Sequence, residues 1–354
     1  MTIKDRVLVR LGRENGFISG EKLAADLGVS RTAVWKAIGE LRDAGYSIEA
    51  AQKRGYRLAE SPDFSAAALA NELENRRNDE ISAHVLCNCA ENPISPRFDE
   101  LKPLVLNRTD STNKVCRSIA AQAVETNERA EYVVLAAEQS AGRGRLGRSF
   151  VSPDGGLYMS FLLYPGLTAV DAQLITTTAA VAVCRAIEKL DNSLSPSIKW
   201  VNDIYLNGKK VCGILTEGQV DFETGTLAFA VLGIGVNIWK PAGGWAPEIA
   251  DRAGALFDSR TEIGNLTNGS DPRIRLASLI SAEFYRLYPV LELSGIVDYY
   301  RGRMFLTGME VTVIPTGGEP YKATVVGVSD ELQLIVRTGN CERFLSTGEV
   351  SLKL

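Results

Sequence analysis

Apolar residues at Ile3, Val7, Leu8 and Leu11 recur at helical spacing and predict a first helix. After a break over 12–16, Ser19 is placed to cap a second helix carrying Leu23, Ala24 and Leu27. Gly28 suits a tight left-handed turn. Ser30 then caps a third helix with Val34, Ile38 and Leu41 on its inner face and Arg31, Thr32 and Lys36 on the other. Trp35 sits beside Val34 and is either a groove contact or part of the core. Alternation over 46–50 and 56–58 predicts two short strands around the basic turn Gln52-Lys53-Arg54-Gly55. The pattern is a winged helix-turn-helix. Its third helix would bring Arg31, Thr32, Trp35 and Lys36 to a DNA major groove, with Lys53 and Arg54 at the phosphates.

Beyond a linker at Ser61-Pro62 the pattern changes. A short helix is predicted over 64–73. The polar stretch 75–102 has two prolines and no sustained period, and reads as a loop or insertion. Strands are predicted at 103–107, 132–138 and 157–163, with helices at 111–122, capped by Asp110, and at 171–190. Asn207-Gly208 marks a hairpin between 204–206 and 210–217. A strand at 227–237, helices near 272–290 and 295–303, and an alternating tail from Glu310 complete the chain. The expectation is an α+β protein, joined by hairpins more than by βαβ crossovers. Its parts would be 1–62, a winged DNA-binding domain; 63–304, a mixed α/β body; and 305–354, a small β-barrel.

Charge separates the same parts. Residues 1–60 hold 11 Lys/Arg against 8 Asp/Glu, and the remainder 28 against 35. A basic head on an acidic body suits an anionic partner for the head alone. No apolar run reaches the ~18–20 residues of a membrane helix, and the first residues lack a secretory signal. The six cysteines then read as reduced cytoplasmic thiols. His84, Cys87, Cys89 and Cys116 depart from zinc-site spacing, so no metal site is assigned. His84 is the only histidine, which argues against serine–histidine hydrolysis.

The candidate chemistry lies at 138–150, EQSAGRGRLGRSF. Gly142, Gly144 and Gly147 satisfy a dinucleotide fingerprint, and 142–149 nearly matches a P-loop. Both need a helix immediately afterwards, whereas here Pro153, Gly155 and Gly156 lead into a strand. That leaves a flexible loop presenting Arg143, Arg145 and Arg148, whose guanidiniums fit phosphate oxygens in pairs.

DSTN at 110–113, EQSAGRGRLGR at 138–148, KWVNDIY at 199–205, KKVCGIL at 209–215 and GIGVN at 233–237 occur in one order. Together they resemble the biotin–protein ligases, in the branch whose N-terminal winged domain also makes the ligase a transcriptional repressor. The resemblance implies a body with the class II synthetase-like fold of these ligases and an SH3-like C-terminal barrel. It implies ATP and biotin as substrates, Mg²⁺ with the ATP, a biotin carboxyl carrier protein as acceptor, operator DNA as a second partner, and a homodimer when the adenylate is bound. No membrane partner is implied.

Residue by residue, it places Ser111, Thr112, Asn113 and Gln139 at the biotin ureido end, and Arg143, Gly144 and Arg145 in a loop closing over biotin. Gly213, Leu215, Gly233 and Gly235 would shape the rest of the pocket. Arg145, Arg148, Phe150, Asn202, Lys210 and Asn237 fall to the nucleotide. Lys210, which also reaches the biotin carboxylate, Arg145 and Asp203 would act in catalysis. Val201 stands where the family usually has proline, and Phe150 where many members have tryptophan. The alternatives are a biotin or adenylate sensor without catalysis, and a ligase for a related carboxylate such as lipoate.

Overall fold

The computed structural model describes residues 3–12, 16–43, 48–58, 63–86, 95–126, 128–168, 172–263, 270–288, 294–315, 318–346 and 350–353. The head comprises α1 (Ile3–Gly12), α2 (Gly20–Leu27), α3 (Arg31–Asp43) and the antiparallel pair β1 (Ile48–Ala51) and β2 (Gly55–Leu58). Its caps act as the sequence predicts. Ser19 Oγ accepts from the Lys22 N–H and Ser30 Oγ from the Ala33 N–H, both at 3.1 Å. Gly28 turns with φ 63°.

Next comes α4 (Ala66–Leu86), a long helix in place of the expected short helix and loop. The difference has a physical cause. Leu69 and Leu73 are buried, and Glu72 and Glu80 dock through charge on α8 (Pro272–Leu287). Glu72 takes Arg275 at 2.9 Å and the Ser270 hydroxyl at 2.8 Å, and Glu80 pairs with Arg286. Docking by ion pairs over this stretch leaves no apolar stripe there to read. Residues 96–100 add a 3₁₀ turn capped by Ser95. The remainder of the expected insertion, with Cys87 and Cys89, and the linker at Ser61-Pro62 lie outside the described residues.

A seven-stranded sheet forms the body. It comprises β3 (Lys102–Thr109), β4 (Tyr132–Gln139), β5 (Gly156–Leu163), β6 (Ser197–Lys199), β7 (Asp203–Leu206), β8 (Lys209–Val220) and β9 (Leu227–Asn237), in the order β3-β4-β5-β9-β8-β7-β6. Only β3 and β4 are parallel, bridged by α5 (Thr112–Thr126). Its other neighbours are antiparallel.

Strand periodicity divides the core in two. Val133, Leu135, Met159, Phe161, Leu232 and Ile234 face the layer of α6 (Ala172–Leu190) and α8. Val134, Ala136, Leu162 and Val231 face the other way, onto Val115, Cys116 and Ile119 of α5. That second layer continues without a gap into Val7, Leu8 and Leu11 of α1. The head is thus packed on α5.

Helices α7 (Arg260–Ile263) and α9 (Ser294–Arg303) flank the body. The tail is an antiparallel sheet of β10 (Glu310–Pro315), β11 (Tyr321–Val328), β12 (Leu334–Thr338), β13 (Cys341–Leu345) and β14 (Val350–Lys353). A register shift between Val325 and Gly327 bends it, consistent with a small SH3-like unit.

Candidate active site

Three of four facing positions carry no side chain where β8 and β9 cross the middle of the sheet. Gly213 lies opposite Gly235, and Leu215 opposite Gly233. A Cβ on Gly235 would stand 2.6 Å from the Phe150 ring, and one on Gly213 2.9 Å from the same ring. A Cβ on Gly233 would collide with Asn113 Oδ1. The bare strands therefore form a floor that Phe150 and Asn113 approach closely.

The start of α5 makes one wall. Asp110 Oδ1 accepts from the Ser111 N–H at 2.8 Å and Oδ2 from Lys114 Nζ at 2.6 Å, while Ser111 contributes its carbonyl to the first helical turn. The helix therefore begins one residue later than expected, and Asp110 steadies the turn before it. Burial would raise the Asp110 carboxyl, but Lys114 and the Ser111 N–H outweigh it and hold it below its ordinary value. Gln139 Oε1 accepts from the Thr112 N–H at 2.8 Å and the Thr112 hydroxyl at 3.1 Å. Its Nε2 donates to Ser152 Oγ at 3.0 Å, and Ser152 donates onward to the Phe150 carbonyl at 2.8 Å. Asn113 Oδ1 accepts from the buried Ser160 hydroxyl at 2.6 Å, and its Nδ2 donates to Glu217 at 2.8 Å.

The arginine loop is a closed excursion. The Gly144 N–H donates to the Arg148 carbonyl at 2.7 Å and the Phe150 N–H to the Gly142 carbonyl at 2.9 Å. Between them lies a short 3₁₀ turn, 145–147, in which Leu146 has φ 55° and Gly147 φ 72°. The glycines lead into β5 and not into an α-helix, which removes both the dinucleotide and the P-loop readings. Arg143 reaches Glu217 at 3.4 Å, and Arg145 donates to Asn202 Oδ1 at 3.2 Å. Asn202 Nδ2 in turn donates to the Ile214 carbonyl at 2.7 Å. Burial lowers the Arg145 guanidinium from its ordinary value, against the pull of nearby Asp203.

The β7–β8 hairpin supplies the second wall. Lys210 Nζ lies 2.6 Å from Asp203 Oδ1. The backbone of Lys210 is clamped on both sides, its N–H by the Arg252 carbonyl and its carbonyl by the Gly254 N–H, each at 2.8 Å. Asn237 donates to the Gly254 carbonyl at 2.8 Å, so it braces the clamp. Lys199 stands across the β6–β7 pair from Asp203. Burial lowers its amine, with Asp203 opposing and Lys210 and Arg148 adding to the effect. Val201 is buried, and its carbonyl accepts from Tyr300 at 3.2 Å.

Asn113, Phe150, Arg145, Asn202, Asp203 and Lys210 thus lie around the floor of Gly213, Gly233 and Gly235, while Asn237 is directed to the clamp. Sequence reasoning passed over Glu217, Ser160, Ser152 and the clamp at 252–254. Glu217 was within reach, because it lies beyond Gly213 and Leu215 on the same face of β8. Ser160 and the clamp carry no local signal. Cys116 donates to the Ser160 carbonyl at 3.7 Å, its thiol pushed up by burial. Among the described residues, no group of three or more His, Cys, Asp or Glu is placed to hold a metal ion.

In the head, Arg31, Thr32, Trp35 and Lys53 line one groove between α3 and the β1–β2 turn, and Lys36 is exposed on α3. Trp35 is 70% exposed, so it is not core. The Arg54 guanidinium lies 4.4 Å from the Phe17 ring centroid, covering that ring at the edge of the wing.

Two domain models match the chain: the biotin/lipoate A/B protein ligase family over 105–237 and an HTH domain over 4–57. The bifunctional ligase/repressor BirA of Bacillus subtilis is 35% identical over 252 residues, covering 70% of this chain and 68% of that protein. The chain belongs to the biotin/lipoate A/B protein ligase family. Its relatives in the family include the biotin–[acetyl-CoA-carboxylase] ligase of Paracoccus denitrificans, 33% identical across 70% of this chain and 98% of that protein. The biotin protein ligase of Aquifex aeolicus, solved with biotin and ATP, superposes with a TM-score of 0.56 at 28% identity, covering 71% of this chain and 98% of that one.

Proposed function

We propose that this protein joins biotin to ATP, forming biotinyl-5′-adenylate, transfers the biotin to a lysine of a carrier protein, and represses transcription through its winged head. The observation that carries the catalytic reading is the pairing of Lys210 with Asp203 and of Arg145 with Asn202 beside a glycine floor.

The first step needs cations more than bases. A carboxylate is already ionised at neutral pH. What opposes the reaction is its repulsion from the triphosphate, about 4 kcal/mol for two unit charges 4 Å apart at an effective dielectric of 20. Lys210, Arg145 and Arg148 would offset that repulsion while a carboxylate oxygen bonds to the α-phosphorus and pyrophosphate leaves. Arg145 and Lys210 would exchange Asn202 and Asp203 for the ligand's oxygens. In the second step the carrier amine attacks the acyl carbon, AMP leaves, and the amine's proton is lost. That amine has an ordinary pKa of ~10.4, so a base or an orienting carboxylate is needed, and Asp203 is the candidate.

Ser111, Thr112, Asn113 and Gln139 would receive the ureido group, whose neutral donors and acceptors match hydroxyls and amides. Gly144 and Leu215 would flank the bound biotin, and Phe150 and Asn237 would border the nucleotide. Mg²⁺ would arrive on the triphosphate, as it does where substrate phosphates supply much of its shell. The finer proposals are a biotin carboxyl carrier protein as acceptor, an adenylate-stabilised homodimer on a palindromic operator, and residence in the cytoplasm. No described helix is long and apolar enough to cross a membrane.

The test is biotin-dependent exchange of pyrophosphate into ATP, and then labelled-biotin transfer to a carrier domain. Exchange with biotin and not with lipoate supports the reading. Absence of exchange returns the protein to a sensor, and preference for lipoate changes the substrate.

A further inference from the structure

An amide oxygen and an amide nitrogen have nearly the same shape, so a recognition asparagine needs a neighbour that tells them apart. Around Asn113 the neighbours divide sharply. Ser160 Oγ lies 2.6 Å from Oδ1, and a hydroxyl both donates and accepts, so it tolerates either orientation. Ser160 also lies 2.7 Å from the Thr112 hydroxyl, which gives its single proton a second acceptor. Glu217 Oε2, at 2.8 Å from Nδ2, is different. Its other oxygen faces the guanidiniums of Arg117 and Arg143, each at 3.4 Å. A glutamate carboxylate only accepts, and both oxygens of Glu217 already face donors.

We propose that Glu217 is a specificity-determining positioning residue, which fixes which end of the Asn113 amide donates and which accepts. The proposal rests on the reading that Asn113 meets the biotin ureido group. With Glu217 in place, one Nδ2 hydrogen and the Oδ1 bond to Ser160 are committed. The donor and acceptor left for a ligand are then set in one order. A flipped amide would present the reverse order to a ureido group, which carries one acceptor oxygen between two N–H donors. Gly233 carries no side chain, and the space a Cβ would fill there is taken by the Asn113 amide.

The decisive substitution is Glu217→Gln. It keeps the size and one acceptor but adds a donor, so both orientations of Asn113 become acceptable. Glu217→Asp keeps the acceptor-only chemistry and serves as the conservative control. Both are compared with Asn113→Ala in exchange kinetics, with biotin and with 2-iminobiotin, whose ureido oxygen is replaced by an imino group. Sites built around such hydrogen bonds discriminate strongly, so Glu217→Gln should raise the KM for biotin roughly tenfold with kcat within about twofold. It should also narrow the preference for biotin over 2-iminobiotin, and Glu217→Asp should recover most of that preference. If Asn113→Ala weakens biotin while Glu217→Gln keeps both the KM and the preference, the proposal fails and the site reading stands. If neither variant alters biotin kinetics, the placement of biotin at Asn113 fails as well. Equal losses in Gln and Asp variants, with the preference unchanged, would reduce Glu217 to a packing role and overturn the proposal.

Discussion

The protein presents cations to anions in two places, and it prepares them in opposite ways. In the head, Arg31 and Lys36 are exposed on α3, Lys36 with only a loose 3.9 Å ion pair to Glu40 one turn on. In the body, Lys210 and Arg145 are partly buried, and each already holds a protein oxygen. An exposed cation binds a polyanion by displacing counterions, which is cheap and steeply dependent on salt. A desolvated cation that must exchange partners is slower to commit but acts in a medium where charge counts for more. The difference separates a surface that searches from a recess that reacts.

The sharpest way to break the comparison is at Lys210. Lys210→Ala should lower pyrophosphate exchange by about 10²–10³, the range for removing one preorganised charge stabiliser. Operator binding by the unliganded protein should be unchanged in a gel-shift measurement. Loss of DNA binding in the same variant would show that the two cation sets are not independent.

Much of this division was legible in the sequence because it depends on local pattern. Caps at Ser19 and Ser30, the turn at Gly28 and the Asn207-Gly208 hairpin each act through residues close in the chain. The arginine loop was legible from its glycines and from the strand, rather than helix, into which they run. What escaped depends on distant partners. Helix α4 was hidden because Glu72 and Glu80 are satisfied by arginines some two hundred residues away. Ser160 looks like any strand serine until α5 is laid across it. Asn237, read as a nucleotide contact, also braces the clamp on Lys210.

The next largest effect should come from the floor. Gly235→Ala puts a methyl 2.6 Å from the Phe150 ring, and overpacking of this kind costs roughly 1–3 kcal/mol. We expect a lower melting temperature by calorimetry and a raised KM for biotin. An unchanged KM would mean that the recess does not hold the ligand.

In the head, Arg31→Ala should reduce the slope of log affinity against log salt by about one, because one phosphate fewer would be neutralised. Exchange activity should keep its wild-type salt dependence. A salt slope equal to wild type would remove Arg31 from the DNA surface.

The smallest effect belongs to Asp110. Its carboxyl is held below its ordinary value, so it contributes stability that is present above the unfolded value and lost as pH falls through the folded one. Asp110→Asn should therefore flatten the acid limb of the stability profile, by less than ~1 kcal/mol because the group is about a third exposed. Denaturant titrations at neutral and at acid pH measure it. A variant with an undiminished acid limb would assign that limb to other carboxylates.

Where β8 and β9 run bare, the scaffold has no vocabulary of its own for choosing among acids. Selectivity must be written by what borders the gap, namely the first turn of α5, the arginine loop and Glu217 farther along β8, which orders the Asn113 amide. Redirecting such an enzyme to another vitamin-like acid is therefore a matter of editing those borders and leaving the glycines themselves alone. Decorating the strands beneath would only fill the room in which the guest has to lie.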